Sequence, residues 1–323
     1  MTHATLALLT LAACAPAERG RTLVIAAYTT PREVLSEQLL PAFREDWRRR
    51  HGEEVRFETS YQGSGSQSRA VAAGLEADVV WLSLEPDVER LVGAGLVTGD
   101  WRGTPTGGLA SSSVAVIGVR EGNPLQLHSW ADLEREGVEV LTPNVRTSGG
   151  AMWGVMAIAG AADRRGADPL RALGATLARV RVMDKGARES MLSFEKGVGD
   201  AIITYENEVV VARRAGVPLD YAVPAQTIRI ENPAAVVDAY ADRHGTRDLA
   251  EALVAFLGEA PQQEVMGRYG LRPVREGVDC PDLPALSEVF TVRDLGGWEA
   301  VQGRIFADGA LYDQALSLSR GQR

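Results

Sequence analysis

Only two cysteines occur in 323 residues, Cys14 and Cys280, so no disulfide framework can hold this fold. The four histidines, His3, His51, His128 and His244, lie far apart without ligand-like spacing, which argues against an imidazole metal site. Aromatics are sparse at 6%, and acidic residues outnumber basic ones to give a net charge of -9. That balance argues against nucleic acid as a partner. It leaves a small anionic ligand open, because local donors decide binding at an enclosed site. No stretch is apolar for 18 residues, so no helix is expected to span a membrane. There is no fixed-period repeat and no phosphate-binding P-loop. Gly63-Ser64-Gly65 is not a nucleophile elbow, and no serine comes with a histidine that the sequence marks as its base. The run from Gly63 to Ser68 also lacks the third glycine of a dinucleotide fingerprint. Glu206 and Glu208 lie two apart and could share a strand face, but helix-start carboxylates or a hinge strut explain them equally. The absences argue for binding over catalysis.

The length suits two domains, and 45% hydrophobic with 24% charged residues is normal for a globular chain. Beyond Gly20, short apolar runs alternate with amphipathic stretches. Strands are predicted at 22–28, 54–60, 78–82, 113–119, 138–142, 180–183, 201–205 and 236–239. Helices are predicted at 31–50, 63–73, 85–94, 148–162, 248–257, 262–269 and 298–306, with a short one from Trp130. Strand–loop–helix repetition of this kind predicts an α/β fold of mostly parallel sheets flanked by helices. Breaks at 107–108 and 224–233 divide the chain into two lobes. Residues 22–108 plus about 234–323 form the first, with C-terminal helices that could cross over, and about 109–233 the second.

The front of the chain reads as an address. Residues 5–13 are an apolar run ending in Leu11-Ala12-Ala13-Cys14, which resembles the lipobox of bacterial lipoproteins. On that resemblance, residues 1–13 are a signal peptide, Cys14 carries the lipid, and 14–21 form a tether. A plain secretory signal or a frayed N-terminus is the alternative. The Met1-Thr2-His3 segment lacks the Lys or Arg of an ordinary signal start, which suggests a start a few codons upstream.

Four helix starts carry small or capping residues: Thr29-Thr30-Pro31, Ser64-Gly65-Ser66, Ser148-Gly149-Gly150 and Gly186-Ala187. Each helix start bears unpaired N–H groups and the positive end of the helix dipole, and small side chains let an anion reach them. One such loop is ordinary punctuation; four in one α/β chain point to an anion site.

The motifs Tyr28-Thr29-Thr30-Pro31-Arg32-Glu33, Gly63-Ser64-Gly65, Ser148-Gly149-Gly150-Ala151, Gly186-Ala187-Arg188 and Glu206-Asn207-Glu208 occur in that order. With Tyr269-Gly270-Leu271-Arg272-Pro273 and Gly296-Gly297-Trp298, they resemble the bacterial sulfate-binding proteins, a family that includes thiosulfate-binding members. The resemblance runs from about Leu23 to Ala315. It implies a two-lobed periplasmic-binding-protein fold of type II, a monomer with the ligand in the cleft between lobes. It further implies a sulfate or related tetrahedral oxyanion as ligand and an ABC permease with cytoplasmic ATPase subunits as partner. A sensor subunit of the same fold is the other class open. By position, Thr29, Ser64, Gly149, Gly150 and Ala187 give backbone donors and Ser148 its hydroxyl. Tyr205 stands where the family has tryptophan, and Thr29 where it usually has aspartate. Arg32 and Arg188 would shape the field from behind the donors, or simply be surface residues of a first helical turn. Glu206 is expected to point away from the site, Cys280 to be incidental, and no cofactor is implied. Because none of these donors titrates near neutrality, binding should vary little between about pH 5 and 8. The anchored protein would face the periplasm or the cell exterior.

Overall fold

A computed structural model describes residues 20–321, so the expected signal peptide, Cys14 and most of the expected tether lie outside the described residues. The chain enters at β1 (Arg21–Tyr28) and continues as one helical rod: α1 (Arg32–Val34), a π-helical stretch Leu35–Leu39, and α2 (Leu40–His51). There follow β2 (Val55–Gln62), α3 (Ser64–Ala72), β3 (Val79–Trp81), α4 (Glu85–Gly93) and β4 (Leu109–Arg120). After a 3-10 turn at Trp130–Glu134 come β5 (Val140–Pro143), α5 (Gly149–Arg164), α6 (Pro169–Ala178), β6 (Val180–Asp184) and α7 (Ala187–Glu195). Next are β7 (Ala201–Tyr205), α8 (Glu206–Arg214), β8 (Leu219–Ala222) and β9 (Gln226–Val236). The chain ends with α9 (Asp238–His244), α10 (Arg247–Leu257), α11 (Ala260–Arg268), β10 (Glu288–Phe290), α12 (Gly297–Val301) and α13 (Leu311–Arg320).

The main strand order is β2-β1-β3-β9-β4-β7-β5-β6, with β10 added beside β9 and β8 beside β4. β1 pairs in parallel with β2 and β3, and β5 with β6 and β7. The expected parallel character therefore holds within each half. The halves are joined by antiparallel pairing: β9 runs against β3 at its C-terminal end and against β4 further back, while β4 runs on against β7. The sheet is mixed because two long strands cross between the lobes. The strand expected at 236–239 is a correction of register, since β9 ends at Val236 and Asp238 opens α9. The proline-rich segment read as a break lies largely inside β9. Pro233 has no N–H to give, and its carbonyl accepts the Leu82 N–H at 2.8 Å.

Strand alternation places apolar residues on both faces of the sheet. In β1, Leu23, Ile25 and Ala27 join one core while Ala26 joins the core of the opposite face. In β4, Ala115, Ile117 and Val119 face one way, and Val114 and Val116 the other. Burial on both faces is why these strands read as unbroken apolar runs. Helix α13 packs on α6, where Leu318 lies against Gly174. Among the described residues no helix is long and apolar enough to cross a membrane.

Candidate functional site

Three expected helix starts fall on the first turn of a helix. Ser64 opens α3 after Gly63, Gly149 and Gly150 open α5 after Ser148, and Ala187 opens α7 after Gly186. In α7 the first intrahelical bond runs from the Ser190 N–H to the Gly186 carbonyl. The N–H groups of Ala187, Arg188 and Glu189 therefore precede any intrahelical acceptor. Ser148 occupies the cap position of α5 in an extended conformation, and its hydroxyl makes no bond to its own helix.

Contacts bring these starts together. A Cβ on Gly150 would lie 2.7 Å from Tyr205 Cε2, 3.3 Å from the Ala187 Cβ and 3.4 Å from Ser148 Oγ. A Cβ on Gly149 would lie 2.6 Å from Ser83 Oγ. The Ser83 N–H in turn donates to Ser64 Oγ at 2.9 Å. The Tyr28 and Tyr205 ring centroids are 6.0 Å apart, which brings the side chain that ends β1, the residue before Thr29, beside Tyr205. Thr29, Ser64, Ser148, Gly149, Gly150, Ala187 and Tyr205 are all buried. Small residues are required here because a β-carbon at either glycine would occupy the space between the helix ends. A groove of about 290 Å³, lined by Arg69, Asp87, Arg146, Ser148 and Gly149 among others, reaches the cluster from outside.

Several side chains do other work than expected. The Ser64 hydroxyl donates to Asp87 Oδ2 at 2.6 Å, so Ser64 can offer an anion only its backbone N–H. Neither Thr29 nor Thr30 caps α1; Pro31 holds the cap position and no side chain bonds there. Thr30 instead donates its hydroxyl to Glu208 Oε1 at 2.7 Å, across from β1 to α8. Arg188 reaches Glu33 at 2.9 Å and Glu208 at 3.5 Å, and Arg32 lies 5.2 Å over the Tyr61 ring. The expectation for Glu206 rested on strand alternation, but β7 ends at Tyr205 and Glu206 begins a helix. Its carboxylate points away from the cluster and is held by Arg272 Nε at 2.6 Å and Nη2 at 2.9 Å. Cys280 is a free, half-buried thiol beside Gly267, and burial raises its pKa.

Sequence reading missed Ser83 and Trp153. Ser83 is wholly buried just after β3, with its Oγ 2.6 Å from the Tyr205 hydroxyl, and the Trp153 indole donates to the same oxygen at 3.0 Å. The available signal was that Ser83 ends a buried strand, where α/β ligand loops gather.

Glu208 brings a titrating group to the edge of the cluster. Burial pushes its carboxyl up to about 7, with Arg188 and Thr30 opposing the shift. The folded state therefore holds this proton more tightly than the unfolded chain. Stability contributed here is present at low pH and is lost as pH rises from about 4.5 towards 7. Denaturant unfolding should show a decline of at most about 3 kcal/mol across that window from this group. Glu208→Gln should flatten the decline; an equally steep decline in the Gln variant would assign it to other carboxyls.

Comparison with known proteins follows the same outline. A family model for bacterial extracellular solute-binding proteins matches residues 23–272. A sulfate-binding protein of Synechococcus elongatus is 42% identical over 295 residues, 88% of this chain and 84% of that protein. A thiosulfate-binding protein of Pseudomonas aeruginosa is 33% identical over 290 residues, 86% of this chain and 87% of that one. Among solved structures, the sulfate-binding protein SubI from Mycobacterium tuberculosis aligns with a TM-score of 0.81 at 36% identity. The alignment covers 88% of this chain and 99% of that one.

Proposed function

The chain belongs to the bacterial extracellular solute-binding protein family, and we propose from that premise that it captures sulfate between its lobes and delivers it to an ABC permease driven by cytoplasmic ATPase subunits. The observation that carries this reading is the meeting of three helix starts, those of α3, α5 and α7, around glycine, serine and alanine. The N–H groups of Thr29, Ser64, Gly149, Gly150 and Ala187, with the hydroxyls of Ser148 and Tyr205, form the donor set. Residues 22–108 with 234–323, and 109–233, are the lobes that close on the ion. The relatives are named for binding rather than catalysis, which supports a binding role for this site.

A cradle made only of donors selects by protonation. Sulfate near neutral pH only accepts hydrogen bonds, whereas hydrogen phosphate carries a proton that needs an acceptor. Leaving that proton unpaired in a buried site costs about 1–3 kcal/mol. Thiosulfate is the second reading, favoured by Tyr205 in the place of the family's tryptophan and by the Pseudomonas aeruginosa relative. Calorimetry of the soluble domain against sulfate, thiosulfate, phosphate and molybdate decides between them. One sulfate per chain at about micromolar Kd or tighter is expected. Absence of binding, or phosphate bound more tightly than either sulfur anion, would overturn the reading.

Tyr205→Phe keeps the ring and removes the hydroxyl. If that hydroxyl donates to the anion, affinity should fall by about 10- to 150-fold, the worth of one hydrogen bond to a charged acceptor. Equal affinity in the Phe variant would reduce Tyr205 to packing.

Export and anchoring complete the proposal. With Cys14 acylated, the protein stays on the outer face of a membrane, because two buried acyl chains hold firmly at about 0.8 kcal/mol per methylene. Cys14→Ser should release the protein from the membrane fraction or leave an uncleaved precursor. Unchanged fractionation with unchanged acyl labelling would show that Cys14 is not the anchor.

A further inference from the structure

Ser83 sits at a junction between the lobes. Its N–H donates to Ser64 Oγ, and its carbonyl accepts the Trp153 indole N–H at 3.2 Å and the Asn232 amide at 3.3 Å. Its hydroxyl oxygen accepts the same indole at 3.0 Å and lies 2.6 Å from the Tyr205 hydroxyl. Ser83 follows β3 in the first lobe, whereas Trp153 lies on α5 and Tyr205 ends β7 in the second. All three side chains are buried.

Hydrogen-bond inventory restricts what this trio can do. An indole N–H only donates, so it fixes one lone pair of Ser83 Oγ. One proton and one lone pair remain on that oxygen, and Tyr205 is the neighbour within reach. Either serine gives its proton to tyrosine, which frees the tyrosine proton for another acceptor, or the direction reverses and the serine proton has no acceptor among the contacts of Ser83 Oγ. An acceptor-only anion in the adjacent cradle favours the first arrangement.

We propose that Ser83 is a positioning residue that orients the chain Trp153 to Ser83 to Tyr205, so that Tyr205 presents its proton to the bound oxyanion and the site rejects oxyanions that still carry one. This rests on the oxyanion reading above and names the group that makes its selectivity. A protonated ligand oxygen would need Tyr205 to accept, which reverses the chain and strands the Ser83 proton. Rejection by about tenfold to a hundredfold follows from one buried unpaired donor.

A double-mutant cycle tests it. Ser83→Ala should weaken sulfate binding several-fold and narrow the sulfate-to-phosphate ratio by about tenfold, because the tyrosine hydroxyl is no longer held as a donor. In a Tyr205→Phe background, Ser83→Ala should change affinity by less than about twofold. Additive losses would overturn the proposal, since Ser83 would then act without Tyr205. A second readout does not depend on anion binding. The Trp153 indole N–H resonance, identified as the signal missing from Trp153→Phe, should shift in Tyr205→Phe without any anion present. An unmoved indole signal overturns the chain even if affinities change. If wild type binds none of sulfate, thiosulfate and phosphate, the oxyanion reading falls, and the indole shift alone still decides whether the chain exists.

Discussion

Gly63→Ala is expected to remove tight anion capture while leaving the fold intact. The backbone at Gly63 has φ -57° and ψ 139°, which any residue adopts without strain. The obstacle is across the cleft. A Cβ there would lie 2.4 Å from the Thr147 carbonyl oxygen, 3.3 Å from its carbon and 3.5 Å from the Lys185 carbonyl oxygen. These are backbone atoms, so no rotamer change relieves the contact. Gly63 leads into α3, whereas Thr147 and Lys185 lead into α5 and α7, so on the proposed division into lobes the clash exists only when they meet. Relief requires the lobes to part by about 1 Å, enough to stretch donors out of hydrogen-bond range. Misplacement of that size in a positioned site costs about a hundredfold. Calorimetry should therefore give at least about a hundredfold weaker binding for the anion that wild type prefers. The ligand-free thermal midpoint should move by no more than an ordinary surface substitution moves it. A folded Ala variant that binds as tightly as wild type would show that this closed arrangement is not the bound one.

The same residues show what sequence can and cannot carry. Helix starts are local events, and small residues at Ser64, Gly149 and Ala187 marked them within a residue. Strands with both faces buried were equally plain, as at Ile25 and Ile202. Helix α6 was missed, although Asp168-Pro169 is an ordinary start signal and Asp168 caps the Leu170 N–H at 2.9 Å. What sequence could not carry was the choice of partner. Thr30 had the makings of a cap, but a buried carboxylate 178 positions away took its hydroxyl. Ser83 reads as one more loop serine until Trp153 and Tyr205 arrive from α5 and the end of β7. The crossing of β4 and β9 was illegible for the same reason, because pairing between distant strands leaves little local trace.

Arg272→Ala should be the most destabilising single change outside the apolar core. Glu206 is completely buried at the first position of α8, and Arg272 holds both of its oxygens in a fork. Tyr221 adds a hydroxyl at 3.3 Å, and the Arg272 backbone is itself pinned to Ser112 by reciprocal bonds of 2.7 and 2.8 Å. Even with these partners, burial holds the Glu206 carboxyl above its usual pKa, and Arg272 opposes that shift. Removing the guanidinium leaves a buried charge without a cation, a loss of about 3–5 kcal/mol. For a chain of this size the thermal midpoint should drop by roughly 5–8 °C. The sign of the pH dependence is fixed by the direction of the shift. A carboxyl that binds its proton more tightly when folded contributes stability at low pH, which is lost as pH rises above its unfolded value. Without Arg272 the folded pKa climbs further, so the deficit relative to wild type should be small near pH 5 and larger near pH 8. Adding Glu206→Gln to Arg272→Ala should recover much of the loss and remove its pH dependence, because the amide carries no charge to strand. Equal thermal midpoints for wild type and Arg272→Ala at both pH values would mean that water or a backbone shift satisfies Glu206 without its arginine. The junction between β7 and α8, which seats Tyr205, would then be held without this ion pair, by its pairing with β4 and by the Thr30–Glu208 contact.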